Sequence, residues 1–265
     1  PAMHAPLIAA AARHGCHVLC EKPLTTSVDD YRTALKAVRA AGVTLFTVHN
    51  WKHSTPFGRV SALVAEGKLG RLQNVRMESI RNGPSVTVGQ DWRNRAAIAG
   101  GGILVDHGWH ALYMLTTLAG EEPLSVGAVL EKRRYTESDV EDTATCSIEF
   151  PSLKGEIFLT WAGAERRTRW RLVGKLGSVE IEEQELRLIR NGQSETHLLP
   201  HSLSAGSHHP DWFAPVIEEF FRDVDAPSPR SGNLAEAEQC LTLLTLAYQS
   251  AARGGEALPV PSRPA

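Results

Sequence analysis

Between Gly100 and His110, three consecutive glycines lead into an apolar run that carries a carboxylate, Asp106, and an imidazole, His110. Glycine lets the backbone turn tightly or approach a ligand at no steric cost, and the run after Gly102 reads as the start of a helix. Residues four apart stack on one helix face, so Asp106 and His110 are expected side by side, with Tyr113 one turn further along. A carboxylate beside an imidazole orients the ring and raises its pKa from about 6.5 towards working pH, which suits taking a proton from a substrate hydroxyl. The same spacing also describes a surface ion pair or a satisfied core histidine, so the elements that position the pair decide its meaning.

Those elements begin with the first residues. Positions 2–13 are alanine-rich with Leu7 and Ile8 and predict a helix closed by Gly15 in a left-handed conformation. Residues 17–20 are a short apolar run bounded by Gly15 and Pro23, as expected of a buried parallel strand. Ser27 with Asp30 resembles a capping box and opens a helix in which Tyr31, Ala34, Leu35 and Val38 keep helical spacing up to Gly42. Residues 43–48, rich in β-branched and aromatic side chains, make the next strand. Helix and strand thus alternate, which signals a parallel α/β sheet. Ligands of such sheets bind beyond the carboxyl ends of the strands, where Glu21, Lys22 and Asn50 fall.

After Trp51 the pattern changes, and we read residues 1–50 and 51–265 as two domains. A helix over 56–66 buries Phe57, Val60, Leu63 and Val64. A strand over 72–81 and a loop from Gly83 to Trp92 and Arg93 precede the glycine-led helix, which ends near Gly120. Runs at 125–132, 143–150, 155–161 and 168–173, with shorter ones at Val179 and Leu188, are β-prone and lack intervening helices, which predicts an antiparallel sheet. Helices near 211–224 and 234–253 and a proline-rich tail close the chain.

A chain of 265 residues with 42% hydrophobic content buries a sizeable core, and a net charge of −2 without a polybasic run implies no nucleic-acid partner. No apolar run approaches the roughly 20 residues that span a bilayer, so no membrane partner is expected and the protein is read as cytoplasmic. Cys16, Cys20, Cys146 and Cys240 are scattered and read as reduced thiols. His49, His53, His107, His208 and His209 match no metal-ligand spacing, so they are read as surface histidines and no metal is expected.

Glu21-Lys22-Pro23 after a strand, Trp92-Arg93, the glycine triplet leading to Asp106 and His110, His4 in the opening Pro-x-x-His, and Tyr248-Gln249-Ser250-Ala251 together carry a resemblance. On these residues the chain resembles the Gfo/Idh/MocA oxidoreductases over essentially its whole length. The resemblance implies an α/β fold: the carboxyl-terminal part of a Rossmann domain, then an α+β domain with an open, mainly antiparallel sheet. It implies NAD or NADP as cofactor, a sugar, cyclitol or related polyol as substrate, and hydride transfer between them. Lys22 becomes a substrate-side cation, Asp106 and His110 the pair that holds and deprotonates the reacting hydroxyl, and His4, Glu21, Lys22, Pro23, Asn50, Trp92 and Arg93 the cofactor border. Trp161, Arg166, Arg167 and Arg169 are the candidates for substrate choice. A homo-oligomer is expected through the sheet, because an open sheet with apolar alternation needs a cover.

Two departures from the family stand beside the matches. The G-x-G-x-x-G turn that seats the pyrophosphate belongs on the first βα unit, ahead of the residues present, and the spacing of Gly100 to Gly102 does not replace it. The chain as given is therefore expected to bind nicotinamide cofactors weakly, because its opening βα units are lacking or come from a partner. Lys52 stands where the family commonly carries arginine. The alternatives are a non-catalytic sensor or regulator of the same family, or an inactive fragment; retention of Lys22, Asp106 and His110 argues for the enzyme.

Overall fold

The alanine-rich opening forms helix α1 (His4–Arg13), which buries Ala5, Ile8, Ala9 and Ala12, with Gly15 at φ 73° just beyond it. Strand β1 (Val18–Cys20) and helix α2 (Val28–Ala41) follow. The Ser27 hydroxyl accepts the Asp30 N–H at 3.1 Å to cap α2, and Gly42 closes it at φ 65°. Strand β2 (Leu45–Thr47) pairs with β1 in parallel, Leu19 opposite Phe46. This computed structural model describes residues 1–84, 92–206, 209–226 and 232–262. The middle of the loop expected between Gly83 and Trp92, residues 85–91, lies outside them.

Helix α3 (Thr55–Ala65), capped by the Ser54 hydroxyl, leads to strand β3 (Leu72–Ile80). A 3-10 turn at Trp92–Asn94 and the short helix α4 (Ala96–Ala99) enter the glycine triplet. Beyond it the chain departs from a regular helix: Leu104–Gly108 forms a π-helical turn that continues into α5 (Trp109–Ala119). The start of this segment is pinned by Glu141, whose carboxylate accepts the Gly102 and Leu104 N–H groups at 3.0 Å. A π turn holds more residues per revolution than an α turn, so side chains four apart across it no longer superpose.

Strands β4 (Ser125–Glu131), β5 (Thr143–Glu149), β6 (Lys154–Thr160), β7 (Arg167–Gly174), β8 (Gly177–Glu182), β9 (Glu185–Arg190), β10 (Gln193–Leu198) and β11 (Leu258–Pro259) join β3 in one sheet. Its order is β10-β9-β8-β7-β3-β6-β5-β4-β11. The expected antiparallel pairing holds at every neighbour except β3 and β6, which run parallel because β3 inserts between β6 and β7. One face buries Val75, Met77, Ile157, Trp170, Leu172 and Ile181 against α5 and α7 (Asn233–Ala252). The other face is ionic, with Arg76 2.8 Å from Glu78 and Arg171 3.0 Å from Glu180, so the apolar alternation serves the inner face alone. Helix α6 (Pro210–Asp225) sets Val216 and Phe220 on Phe46 and Val48. At the start of α7 the Asn233 amide pairs with Thr47, its oxygen accepting the N–H at 2.6 Å and its nitrogen donating to the carbonyl at 2.9 Å. A side chain thereby completes hydrogen bonds that another strand would otherwise supply at β2.

Candidate active site

A cavity of about 670 Å³ opens between the carboxyl end of β1, the π turn with α5, and the inner face of the large sheet. Lys22 enters it directly after β1, and its Nζ donates to the Asp106 carbonyl at 2.6 Å and to Oδ1 at 3.3 Å. The other Asp106 oxygen lies 3.5 Å from Arg93 Nε. Burial alone would raise this carboxyl, but Lys22 first, then His107 and Arg93, outweigh it and hold the pKa at about 2. Asp106 is therefore a fixed anion that orients Lys22.

His110 also lines the cavity, yet among the described residues no hydrogen bond or ion pair joins it to Asp106. The expected pair fails because the π turn rotates one residue away from the other. The His110 Nδ1 lies 2.8 Å from the Tyr113 hydroxyl, whose oxygen also accepts the Trp51 N–H at 3.2 Å. Burial first, and the Lys22 charge second, push the imidazole well below 6.5, opposite to the expected rise. Burial likewise holds the Tyr113 phenol well above 10. Tyr113 thus keeps its hydrogen, and with Trp51 donating to its oxygen, the acceptor left for that hydrogen is His110 Nδ1. The resting ring is assigned as the Nε2–H tautomer.

Of the expected cofactor border, His4, Glu21, Lys22, Pro23, Trp92 and Arg93 line the cavity. The His4 Nδ1 lies 2.8 Å from the Pro23 carbonyl, and the Arg93 guanidinium stacks 4.3 Å over the Trp92 ring. Asn50 is the correction: it is buried and lies outside the cavity wall, because a 3-10 turn at Asn50–His53 directs the next residue, Trp51, inward instead. Of the four candidates for substrate choice, Trp161 and Arg166 line the cavity, whereas Arg167 and Arg169 pair with Glu182 and Glu180. Sequence reasoning missed Trp51, Arg81 and Thr168, which line it too. The alternation of strands 72–81 and 168–173 carried a signal for the last two, since each sits at the end of an inward register.

The surface reading of the histidines also needs correction. His107 lines the cavity, and burial brings its pKa to about 4 despite Asp106, so the ring is neutral at pH 7. His49 is buried, with Nδ1 2.6 Å from Glu236 and Nε2 accepting the Trp109 indole N–H at 3.0 Å. His53 faces Glu219 at 3.6 Å, His209 stacks on Trp212, and His208 lies outside the described residues. Among the described residues no group of three or more His, Cys, Asp or Glu side chains is placed to hold a metal ion. Lys52 turns to Glu236 at 2.9 Å, away from the cavity.

The glycine triplet makes room rather than a phosphate seat. A Cβ on Gly101 would lie 1.9 Å from the Tyr248 hydroxyl, and one on Gly102 1.9 Å from the Glu141 carbonyl. Tyr248 in turn donates to Glu141 at 2.9 Å, so the late tyrosine, the glycines and the glutamate form one support under the π turn. The donor set above that support suits a nicotinamide and a small polyol: the cavity lies at a parallel strand's carboxyl end and falls within the roughly 300–1,000 Å³ usual for such ligands. Its polar groups, Lys22 and His110, are suited to a substrate oxygen.

Comparison with known proteins gives the same picture. Residues 1–49 match a model described as an oxidoreductase family with an NAD-binding Rossmann fold, and residues 57–180 match the GFO/IDH/MocA C-terminal domain. The 1,5-anhydro-D-fructose reductase of Ensifer adhaerens is 31% identical over 57% of this chain and 44% of its own length. The dTDP-3,4-didehydro-2,6-dideoxy-alpha-D-glucose 3-reductase of Streptomyces violaceoruber is 29% identical over 75% of this chain and 59% of its own. The chain thus spans about half the length of these curated relatives. The aldose-aldose oxidoreductase of Caulobacter crescentus shares the fold, with a TM-score of 0.83 at 24% identity over 97% of this chain and 76% of its own. With both models matched in order along it, the chain belongs to the Gfo/Idh/MocA oxidoreductase family.

Proposed function

We propose that the protein moves a hydride between a nicotinamide cofactor, NAD or NADP, and a CH–OH or carbonyl carbon of a sugar or polyol. The observation that carries this reading is the meeting of the Asp106-held Lys22 and the Tyr113-held His110 in one cavity at the end of β1. Two relatives named as sugar reductases, and the NAD-binding description of the amino-terminal model, support it.

The nicotinamide, when bound, gives or takes the hydride. Lys22 spends two contacts on Asp106, and an ammonium has three donors, so one remains for the substrate oxygen. There it stabilises negative charge as the carbonyl becomes alkoxide, from a side chain only 16% exposed. His110 Nε2–H donates to the same oxygen in the reduction direction. In oxidation the ring takes the hydroxyl proton at Nε2 once its own hydrogen sits on Nδ1, with the Tyr113 oxygen as acceptor. His4, Pro23 and Trp92 are the wall against which the cofactor lies in this reading. The test is His110→Ala and Lys22→Ala in the full protein: turnover should fall by about 10²-fold or more while NADH affinity holds. Equal, small losses in both quantities would remove the assignment.

The same reading takes residues 1–50 as the cofactor-side domain and 51–265 as the substrate-side domain. It also takes the ionic outer face of the large sheet as a contact between copies, its paired charges exchanging across a two-fold axis. A monomer by sedimentation at micromolar concentration would sink that part. No helix among the described residues is long and apolar enough to cross a membrane, and the four cysteines are unpaired, which supports a reducing, cytoplasmic setting.

A further inference from the structure

We infer that the substrate of this cavity carries a carboxylate, bound by Arg81 and Arg166; the inference rests on the cavity being the oxidoreductase site proposed above. Four cationic side chains, Lys22, Arg81, Arg93 and Arg166, line the cavity against two carboxylates, Glu21 and Asp106. Lys22 and Arg93 are both turned to Asp106. Arg81 and Arg166 have no carboxylate within 4.0 Å among the described residues, which leaves two positive charges without a direct counter-ion on one side of the cavity.

Arg81 is the telling member, since it is 4% exposed. Among the described residues its hydrogen bonds leave from Nη1, to the Ile80 carbonyl at 2.8 Å, the Arg167 carbonyl at 3.1 Å and the Thr168 hydroxyl at 2.9 Å, and the buried Nε has no partner. The nearest acid in this network, Glu183, is reached only through the hydroxyls of Thr168 and Ser204. A buried cation without an ionic partner is costly, and a ligand anion is the group that would offset the cost. Arg166 stands more exposed at the rim, anchored through Nε to the Ser204 carbonyl at 2.5 Å. The Trp161 indole N–H, in the same wall, is also buried without an acceptor among the described residues.

Guanidinium groups present planar donor edges that match the two oxygens of a carboxylate, which a lone ammonium does not. His107 links the two sides of the cavity, since its ring feels both Asp106 and Arg81. A short polyol with a carboxylate at one end can therefore place an inner hydroxyl by Lys22 and His110 while Arg81 and Arg166 hold the acid. Hexonates and hexuronates are the class that fits.

The test measures binding to the full protein by calorimetry and, separately, hydride transfer to NAD⁺ by the absorbance of NADH. The probes are D-gluconate, D-galactonate, D-glucuronate and D-galacturonate, each against its neutral sugar, together with D-glucose 6-phosphate, inorganic phosphate and NAD⁺. At least one carboxylate is expected to bind about tenfold or more tighter than its neutral counterpart, a difference of about 1.4 kcal/mol. Arg166→Gln should abolish that preference and leave NAD⁺ affinity unchanged, with Arg81→Lys as the second variant because Arg81 also ties three backbone and hydroxyl acceptors. Neutral sugars binding as well as every acid would overturn the inference, as would tighter binding of the phosphates or parallel loss of NAD⁺ affinity in Arg166→Gln. If an acid binds as expected but no hydride moves, the oxidoreductase reading fails and the anion site stands. If neutral sugars are oxidised without any preference for acids, the reverse holds.

Discussion

Lys22→Met removes the ammonium 3.3 Å from Asp106 Oδ1 while keeping a side chain of similar reach, and so tests the strongest electrostatic coupling in the cavity. Asp106 is 18% exposed, and its carboxyl falls from 3.8 to about 2 because Lys22, His107 and Arg93 together outweigh burial. At ~1.4 kcal/mol per pKa unit, that depression contributes roughly 2 kcal/mol to folding stability. Because the folded value is the lower one, the contribution is fully present above the unfolded pKa of 3.8 and is lost as pH falls through about 2. In the variant His107, 3.9 Å away, and Arg93, at 3.5 Å, still oppose burial, but the largest opposing charge is gone, so the carboxyl rises and takes its proton at higher pH. Urea unfolding of both proteins from about pH 7 down to about pH 3 should show a stability gap of roughly 2 kcal/mol at the upper end that narrows towards the lower. A gap that stays constant with pH would refute the coupling and leave Lys22 a packing residue.

Gly102→Ala should cost about 1–3 kcal/mol or more in thermal unfolding, because the new Cβ meets the Glu141 carbonyl at 1.9 Å and that carbonyl also accepts the Ile103 N–H at 3.2 Å. A change within about 0.5 kcal/mol would show that the loop shifts freely. Glu141→Gln keeps one oxygen for the Leu104 N–H and the Tyr248 hydroxyl but turns an NH2 on the Gly102 N–H, for an expected loss of about 1–3 kcal/mol. An unchanged midpoint would mean that water replaces the lost acceptor. Tyr113→Phe strips the hydroxyl from His110 Nδ1, so turnover should fall about tenfold and its pH profile move, with nicotinamide affinity held. An unchanged pH profile would leave Tyr113 a purely structural partner of Trp51.

The alternation of α1, β1, α2 and β2 was legible because each signal is local: a left-handed glycine at 42, a serine cap at 27, a run of β-branched residues between punctuation marks. The lining role of Lys22 was legible for the same reason, since a strand's carboxyl end is found by counting from its apolar run. Asn50 fails at the first irregular turn. One residue of phase in a 3-10 helix exchanges an inward Asn50 for an inward Trp51, and nothing in His49-Asn50-Trp51 encodes that phase. The charge of the sheet's outer face was not legible, because alternation shows that one face is apolar without showing that the other is charged in register, as Arg76 with Glu156 across two strands is.

The segment from Asp106 to Tyr113 resisted reading for a deeper reason. Helix α5 buries every residue from Trp109 to Thr116 and exposes only Thr117 near its end, so it has no amphipathic period from which to infer a face. Its polar groups are satisfied by chain far away in sequence: Trp109 by His49, Tyr113 by the Trp51 N–H, the π turn before it by Glu141. Spacing can predict a pair only where the local helix decides the geometry, and here long-range acceptors decide it. That same dependence divides the labour in the site. Asp106, turned towards Lys22, fixes a cation, and His110, turned towards Tyr113, stays neutral, so one cavity holds a charged donor and an uncharged one beside the place proposed for the reacting oxygen. A salt-bridged Asp106–His110 pair would instead have merged the two and left Lys22 without its orienting anion.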